Sequence, residues 1–175
     1  MKANFKGQIW VETVLYTLIA LALIGITLAF VMPKINESKN NLIVEQTISS
    51  LSAFDQKINS VLIAPGNKRV VDWAIKKGDL IINATGDNVI FVLDGMEGTY
   101  SQPNVSIQIG RVSVLTIEGL KKSTVYLTLD YKNKVNLTYG GQDSYKVFTP
   151  SSLPYKFSIT NFGRGDIDIE ELSIG

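Results

Sequence analysis

Residues 6–32, KGQIWVETVLYTLIALALIGITLAFVM, decide how this chain is built. Past Gly7 their only charge is Glu12, and from Thr13 to Met32 the side chains are uncharged and mostly Leu, Ile, Val, Ala or Phe. At about 1.5 Å per residue, a helix over 13–32 extends roughly 30 Å, the thickness of a bilayer's hydrocarbon core. A secretory signal has a shorter apolar core, about 7–15 residues, and a small-residue cleavage site on its far side. Here the far side reads Met32-Pro33-Lys34-Ile35-Asn36, without that pattern. The small residue, Gly7, instead precedes the apolar run and follows a basic leader.

Outward from this segment the helical period continues. Ile35, Leu42, Ile48, Leu51, Phe54, Ile58, Val61 and Leu62 recur at helical spacing among Lys, Glu, Asn, Gln and Ser, which predicts an amphipathic extension ending before Pro65-Gly66-Asn67. Pro33 lacks an N–H and is expected to kink the helix or mark the membrane interface. A continuous helix over 8–64, with its membrane-spanning part at about 9–32, would measure on the order of 85 Å. Apolar all round in its first half and striped in its second, it suits lipid or neighbouring helices first and one face of its own head next. A stalk helix followed by an unrelated domain fits the same pattern.

From Lys68 the period becomes alternating. Val70–Ile75, Leu80–Asn83, Val89–Leu93, Val105–Ile109, Val112–Ile117, Val125–Tyr131, Val135–Tyr139, Tyr145–Phe148, Lys156–Thr160 and Ile167–Ile174 read as strands. Thr85-Gly86-Asp87-Asn88, Asp94-Gly95, Lys132-Asn133-Lys134, Gly140-Gly141 and Gly163-Arg164-Gly165 read as the turns between them. The clearest pair points Val125, Leu127, Leu129 and Tyr131 inward, turns, and points Val135, Leu137 and Tyr139 inward again. The fold class is therefore α+β: a long N-terminal hydrophobic helix and then an antiparallel β-sandwich-like head over 68–175.

Charge is nearly balanced, 17 Lys and Arg against 16 Asp and Glu, so no nucleic-acid partner is expected. His and Cys are absent, which excludes zinc sites built on them, Cys nucleophiles, Ser-His-Asp triads, His bases and disulfides. No G-x-G-x-x-G or Walker pattern follows a strand and opens a helix. The chain reads as a non-enzyme without cofactors or metals, although a glycosidase-type carboxylate pair is invisible to sequence. Asp166, Asp168 and Glu170 alternate with Ile167 and Ile169, as on the solvent face of a half-buried strand; a Ca²⁺ ion would use the same carboxylates. Arg164-Gly165-Asp166 reads as a hairpin turn. Lys2 and Lys6 before the span are matched by Lys34 and Lys39 after it, so basic residues leave its orientation undecided. Four Asn-x-Ser/Thr triplets, at Asn36, Asn83, Asn104 and Asn136, all lie beyond the span and favour an extracellular head, with Asn104 and Asn136 on the polar parity of their strands.

A basic leader, Gly7, Gln8, Glu12 five residues past the glycine, and then the apolar helix resemble the class III signal of archaeal type IV pilins. The resemblance covers roughly residues 2–32 and departs from the family at Trp10, where many members carry a small hydroxyl residue. It implies a leader over 1–7 and cleavage by a membrane-embedded prepilin peptidase between Gly7 and Gln8. It also implies that Glu12 pairs with the new α-amino group of a neighbouring subunit. The partners implied are the peptidase, further copies of the chain, a pilus assembly platform and its ATPase, and the membrane. The expected role is a structural subunit of a surface filament, single-pass in the cell membrane before assembly, as a major, minor or pseudopilin-like subunit. The competing expectation is a permanently signal-anchored extracellular module for binding or adhesion. An intramembrane carboxylate costs about 2.5–3.5 kcal/mol at mid-helix and less toward the interface, which calls for a partner there. The alternative is that Glu12 merely lies near the headgroups, where an acid in the first helical turn complements the helix dipole.

Overall fold

A single helix, α1 (Phe5–Leu62), carries the apolar segment and runs on through Pro33, forgoing there only the bond that residue's nitrogen would have donated. The computed structural model describes residues 5–172, with side chains from residue 10 onward. By contacts the chain divides between Lys39 and Asn40. In the first unit every described side chain from Trp10 to Ile35 is exposed. In the second, the helix becomes one wall of a core.

The wall follows a simple rule. Val44, Ile48, Leu51, Phe54, Ile58 and Val61 are each buried, at steps of three or four residues that hold one face of α1 against the sheets. Each such side chain contributes about 1.5–3 kcal/mol by leaving water. Ile35 and Leu42, expected in the same stripe, are 41% and 53% exposed, so the core-facing stripe starts only at Val44.

The helix ends where its last carbonyls find a side chain. The Asn161 Nδ2 donates to the carbonyls of Val61 (2.8 Å) and Ala64 (3.2 Å), while its Oδ1 accepts from the Gly163 N–H at 2.7 Å. A carboxamide buried to 3% exposure thus replaces the partners that helix termini lack.

Ten strands follow among the described residues: β1 (Lys68–Trp73), β2 (Asp79–Asn83), β3 (Asn88–Met96), β4 (Ser106–Ile109), β5 (Val112–Glu118), β6 (Ser123–Asp130), β7 (Asn136–Tyr139), β8 (Tyr145–Phe148), β9 (Tyr155–Gly163) and β10 (Asp166–Glu171). They form two open sheets, β1-β9-β10-β7 and β4-β5-β6-β3-β2-β8. Alternation decides which side chains face inward. In β6, Val125, Leu127 and Leu129 are fully buried, and Ile167 and Ile169 of β10 are as well. Both sheets and α1 contribute to one apolar cluster. Phe54 meets Trp73 edge-on at 5.5 Å, Trp73 stacks on Phe91 at 6.3 Å, and Phe148 meets Phe157 at 4.9 Å, so aromatic rings bridge helix, first sheet and second sheet.

Three features depart from the sequence reading. β6 and β7 do not pair with each other: β6 lies between β5 and β3, and β7 joins the other sheet beside β10. The β7–β10 pair is parallel, so the head is not antiparallel throughout. Asp94-Gly95, expected as a turn, lies inside β3, where the register against β6 shifts between Leu93 and Met96. Gly95, at φ 68°, supplies the positive angle that such a bulge accommodates. Gly78 is needed for a different reason, since a Cβ there would stand 2.4 Å from the Val92 carbonyl oxygen.

Candidate functional site

Two places concentrate residues that bulk packing does not explain. The first is the exposed part of α1. It is the one helix among the described residues long and apolar enough to cross a membrane, and it lies near the N-terminus. Leu, Ala and Ile dominate and no Pro intervenes before Pro33, so the helix forms readily. Its Thr17 and Thr27 hydroxyls donate to the Thr13 and Leu23 carbonyls, both at 2.8 Å, so both are bonded within the helix itself. Trp10 is 72% exposed, Leu15 54%, Leu21 59% and Phe30 76%. A contiguous apolar surface of this extent marks a lipid or protein contact. Glu12 lies on this exposed surface. Gly7 and Gln8 fall within α1, and their side chains lie outside the described residues.

The second is a buried polar knot inside the head that the sequence reading passed over. Stepping 44, 48, 51, 55, 58, 62 along α1 places Asp55 in the apolar stripe, and Asp55 is 5% exposed. Its Oδ1 accepts from the Tyr131 hydroxyl at 2.9 Å and its Oδ2 from the Asn59 amide at 2.9 Å. The Arg111 Nε stands 3.8 Å from Oδ1, and the guanidinium lies 5.9 Å from the Tyr131 ring centre. Burial first, then the Asp55 charge and its hydrogen bond, push the Tyr131 hydroxyl far above the usual tyrosine range, against a smaller lowering by Arg111. Such a knot holds geometry: Asp55 sits at one level of α1 and is tied to the end of β6 and the turn before β5. One acid interrupting an apolar helical seam was the signal available in sequence, because a buried carboxylate requires partners.

The C-terminal carboxylates are placed differently from expectation. Asp168 is 8% exposed, and its Oδ1 accepts from the Thr138 hydroxyl at 2.6 Å and the Gly141 N–H at 2.7 Å. Asp166 accepts from the Asn136 amide at 3.0 Å. Two of the three carboxylates therefore tie β10 to β7 and the turn after it. Among the described residues no group of three or more His, Cys, Asp or Glu side chains is placed to hold a metal. Arg164 and Gly165 form the turn between β9 and β10 at φ 55° and 88°. A cleft of about 300 Å³ opens between α1 and the chain after β1, with Gln46, Ser50, Ala74 and Lys76 on its walls. Lys77 beside it donates to Asn40 at 2.9 Å.

The four triplets meet very different surroundings. Asn36 is inside α1 and half-buried. Asn83 gives its amide to Asn88 at 3.1 Å and accepts from the Gly86 N–H at 3.1 Å, capping a 3-10 turn, Ala84–Gly86. Asn136 is exposed in β7 but bonded to Asp166, and Leu137 after it is fully buried. Asn104, expected on a strand, occupies a left-handed turn just before β4 at φ 60°.

Comparison with protein-family models, with curated proteins and with solved structures yields no match to this chain.

Proposed function

We propose that this chain is a structural subunit of an archaeal type IV pilus-like surface filament. In this reading it is held as a single-pass membrane protein until a prepilin peptidase cuts between Gly7 and Gln8. An assembly platform and its ATPase then draw it out of the bilayer. The helix passes from lipid to the helices of identical subunits, and a two-sheet, sandwich-like head outside the cell tiles the filament surface.

One observation carries the reading. An exposed apolar helical surface holds a single acid, Glu12, five residues beyond a glycine that follows a basic leader. Lipid suits the apolar surface, and a bundle of trimmed copies suits it equally while bringing the acid of one copy to the terminal amine of the next. Support comes also from the buried knot and cap, which build a self-sufficient head without disulfides.

Glu12→Ala tests it. The variant inserts and is processed normally, because it removes only a charge from the span, yet filaments are largely lost from the cell surface. Filaments at wild-type abundance would remove the assembly role of Glu12. A permanently anchored binding module predicts no filament with either acid or alanine.

A further inference from the structure

We infer that Asn104 is the glycan acceptor of the head, the triplet that the folded chain presents while it withholds the other three; this rests on the extracellular head proposed above. In N-glycosylation a glycan carried on a lipid phosphate is transferred to an asparagine amide. A C–N bond forms between the sugar's anomeric carbon and Nδ2, the C–O bond to phosphate breaks, the lipid phosphate leaves with the electron pair, and one amide proton passes to a base of the transferase. The transferase must reach Nδ2 and the hydroxyl two residues on, so all three residues have to stand clear of the core.

Only one triplet meets that requirement. Asn104, Val105 and Ser106 are all exposed, Val105 by 40%. No hydrogen bond of the described residues engages the Asn104 side chain, whereas its backbone N–H donates to the Thr116 carbonyl at 2.8 Å and fixes the turn. The Ser106 hydroxyl shares an exposed hydrogen bond with Ser113 at 2.8 Å. At Asn83 the carboxamide is used at both ends and Ala84 is buried. At Asn136 the middle residue, Leu137, is a core side chain and the Thr138 hydroxyl is bonded to Asp168. Asn36 is in helical backbone, which cannot fold into the turn a transferase reads.

The position also has a use. β4 is an outer strand of its sheet, and its sequence, Ser-Ile-Gln-Ile, has neither charge nor proline. The outer strands β1 and β8 carry Lys68, Arg69 and Asp72, and Lys146, the residues that discourage edge-to-edge pairing. β7, the fourth outer strand, also lacks them, and a glycan two residues before β4 shields one of these two bare edges.

Glycopeptide mass spectrometry of the protein from its native cells tests the assignment, with the mature N-terminus read in the same digest. The peptide holding Asn104 carries the glycan mass, and those holding Asn83 and Asn136 do not. Ser106→Ala, which leaves the turn residue Asn104 in place, loses that mass completely, and Ser106→Thr keeps it. A glycan on Asn83 or Asn136 with bare Asn104, or a bare head on a chain beginning at Gln8, overturns the acceptor assignment while leaving the filament reading intact. A glycan at Asn104 on a chain still beginning at Met1 supports the assignment and removes the filament reading.

Discussion

Tyr131, at the end of β6, donates its hydroxyl to Asp55 of α1 at 2.9 Å across 76 residues of sequence. This bond joins the helix to the six-stranded sheet at a single level. Slipping α1 by one turn would leave a buried carboxylate facing apolar side chains, so the bond fixes helix register in a way the surrounding apolar contacts cannot.

Removing one partner is therefore more harmful than removing both. Tyr131→Phe costs about 1.5–3 kcal/mol, as for a hydrogen bond to a charged group. Asp55→Ala costs more, because it also strands the buried Tyr131 hydroxyl and opens a cavity. Arg111→Ala costs at most about 1 kcal/mol, since its side chain is 44% exposed and water screens the pair. Asp55→Leu combined with Tyr131→Phe recovers much of the loss. Urea unfolding of the detergent-solubilised protein checks the order; equal losses for Arg111→Ala and Asp55→Ala would contradict it.

The same hydroxyl sets an alkaline limit. Its folded-state affinity for the proton is raised, so above the unfolded tyrosine pKa of about 10 the unfolded chain releases a proton that the folded chain keeps. Stability is fully present below that pH and falls above it, by up to about 1.4 kcal/mol per pH unit for this group. Tyr100 and Tyr139 shift the same way, each chiefly through burial, so Tyr131→Phe makes the decline shallower without abolishing it. Unfolding midpoints measured from pH 9 to 12 give the slope; an unchanged slope in the variant would refute the assignment.

Asn161→Ala removes the two donations to the end of α1 and the acceptance from Gly163. A loss of about 2–4 kcal/mol follows from uncapping buried backbone groups. Amide exchange over the last turns of α1 should quicken more than that of β5 or β6. Uniform quickening across the head would mean the carboxamide is not a local cap.

What sequence made legible was local. Each of the ten strands falls within a few residues of its period-two run, because alternation alone decides which side chains can be buried. The switch of the chain between sheets after Tyr131 was not legible, since an inward Val135 and Leu137 fit either sheet equally. The parallel β7–β10 pairing joins strands far apart in sequence, and Asp168 looked solvent-facing until Thr138 and Gly141 were brought beside it. Asp94-Gly95 has turn chemistry, yet β3 absorbs it as a bulge because β6 continues alongside. The apolar segment was legible throughout, and the structure adds that its described side chains, from Trp10 to Ile35, are all exposed.

The most direct test of the central claim is the N-terminal sequence of the protein recovered from native cells together with its sedimentation. A chain beginning at Gln8 and pelleting as a polymer of identical subunits is the predicted result. A chain beginning at Met1 and extracted by detergent as a monomer would contradict it.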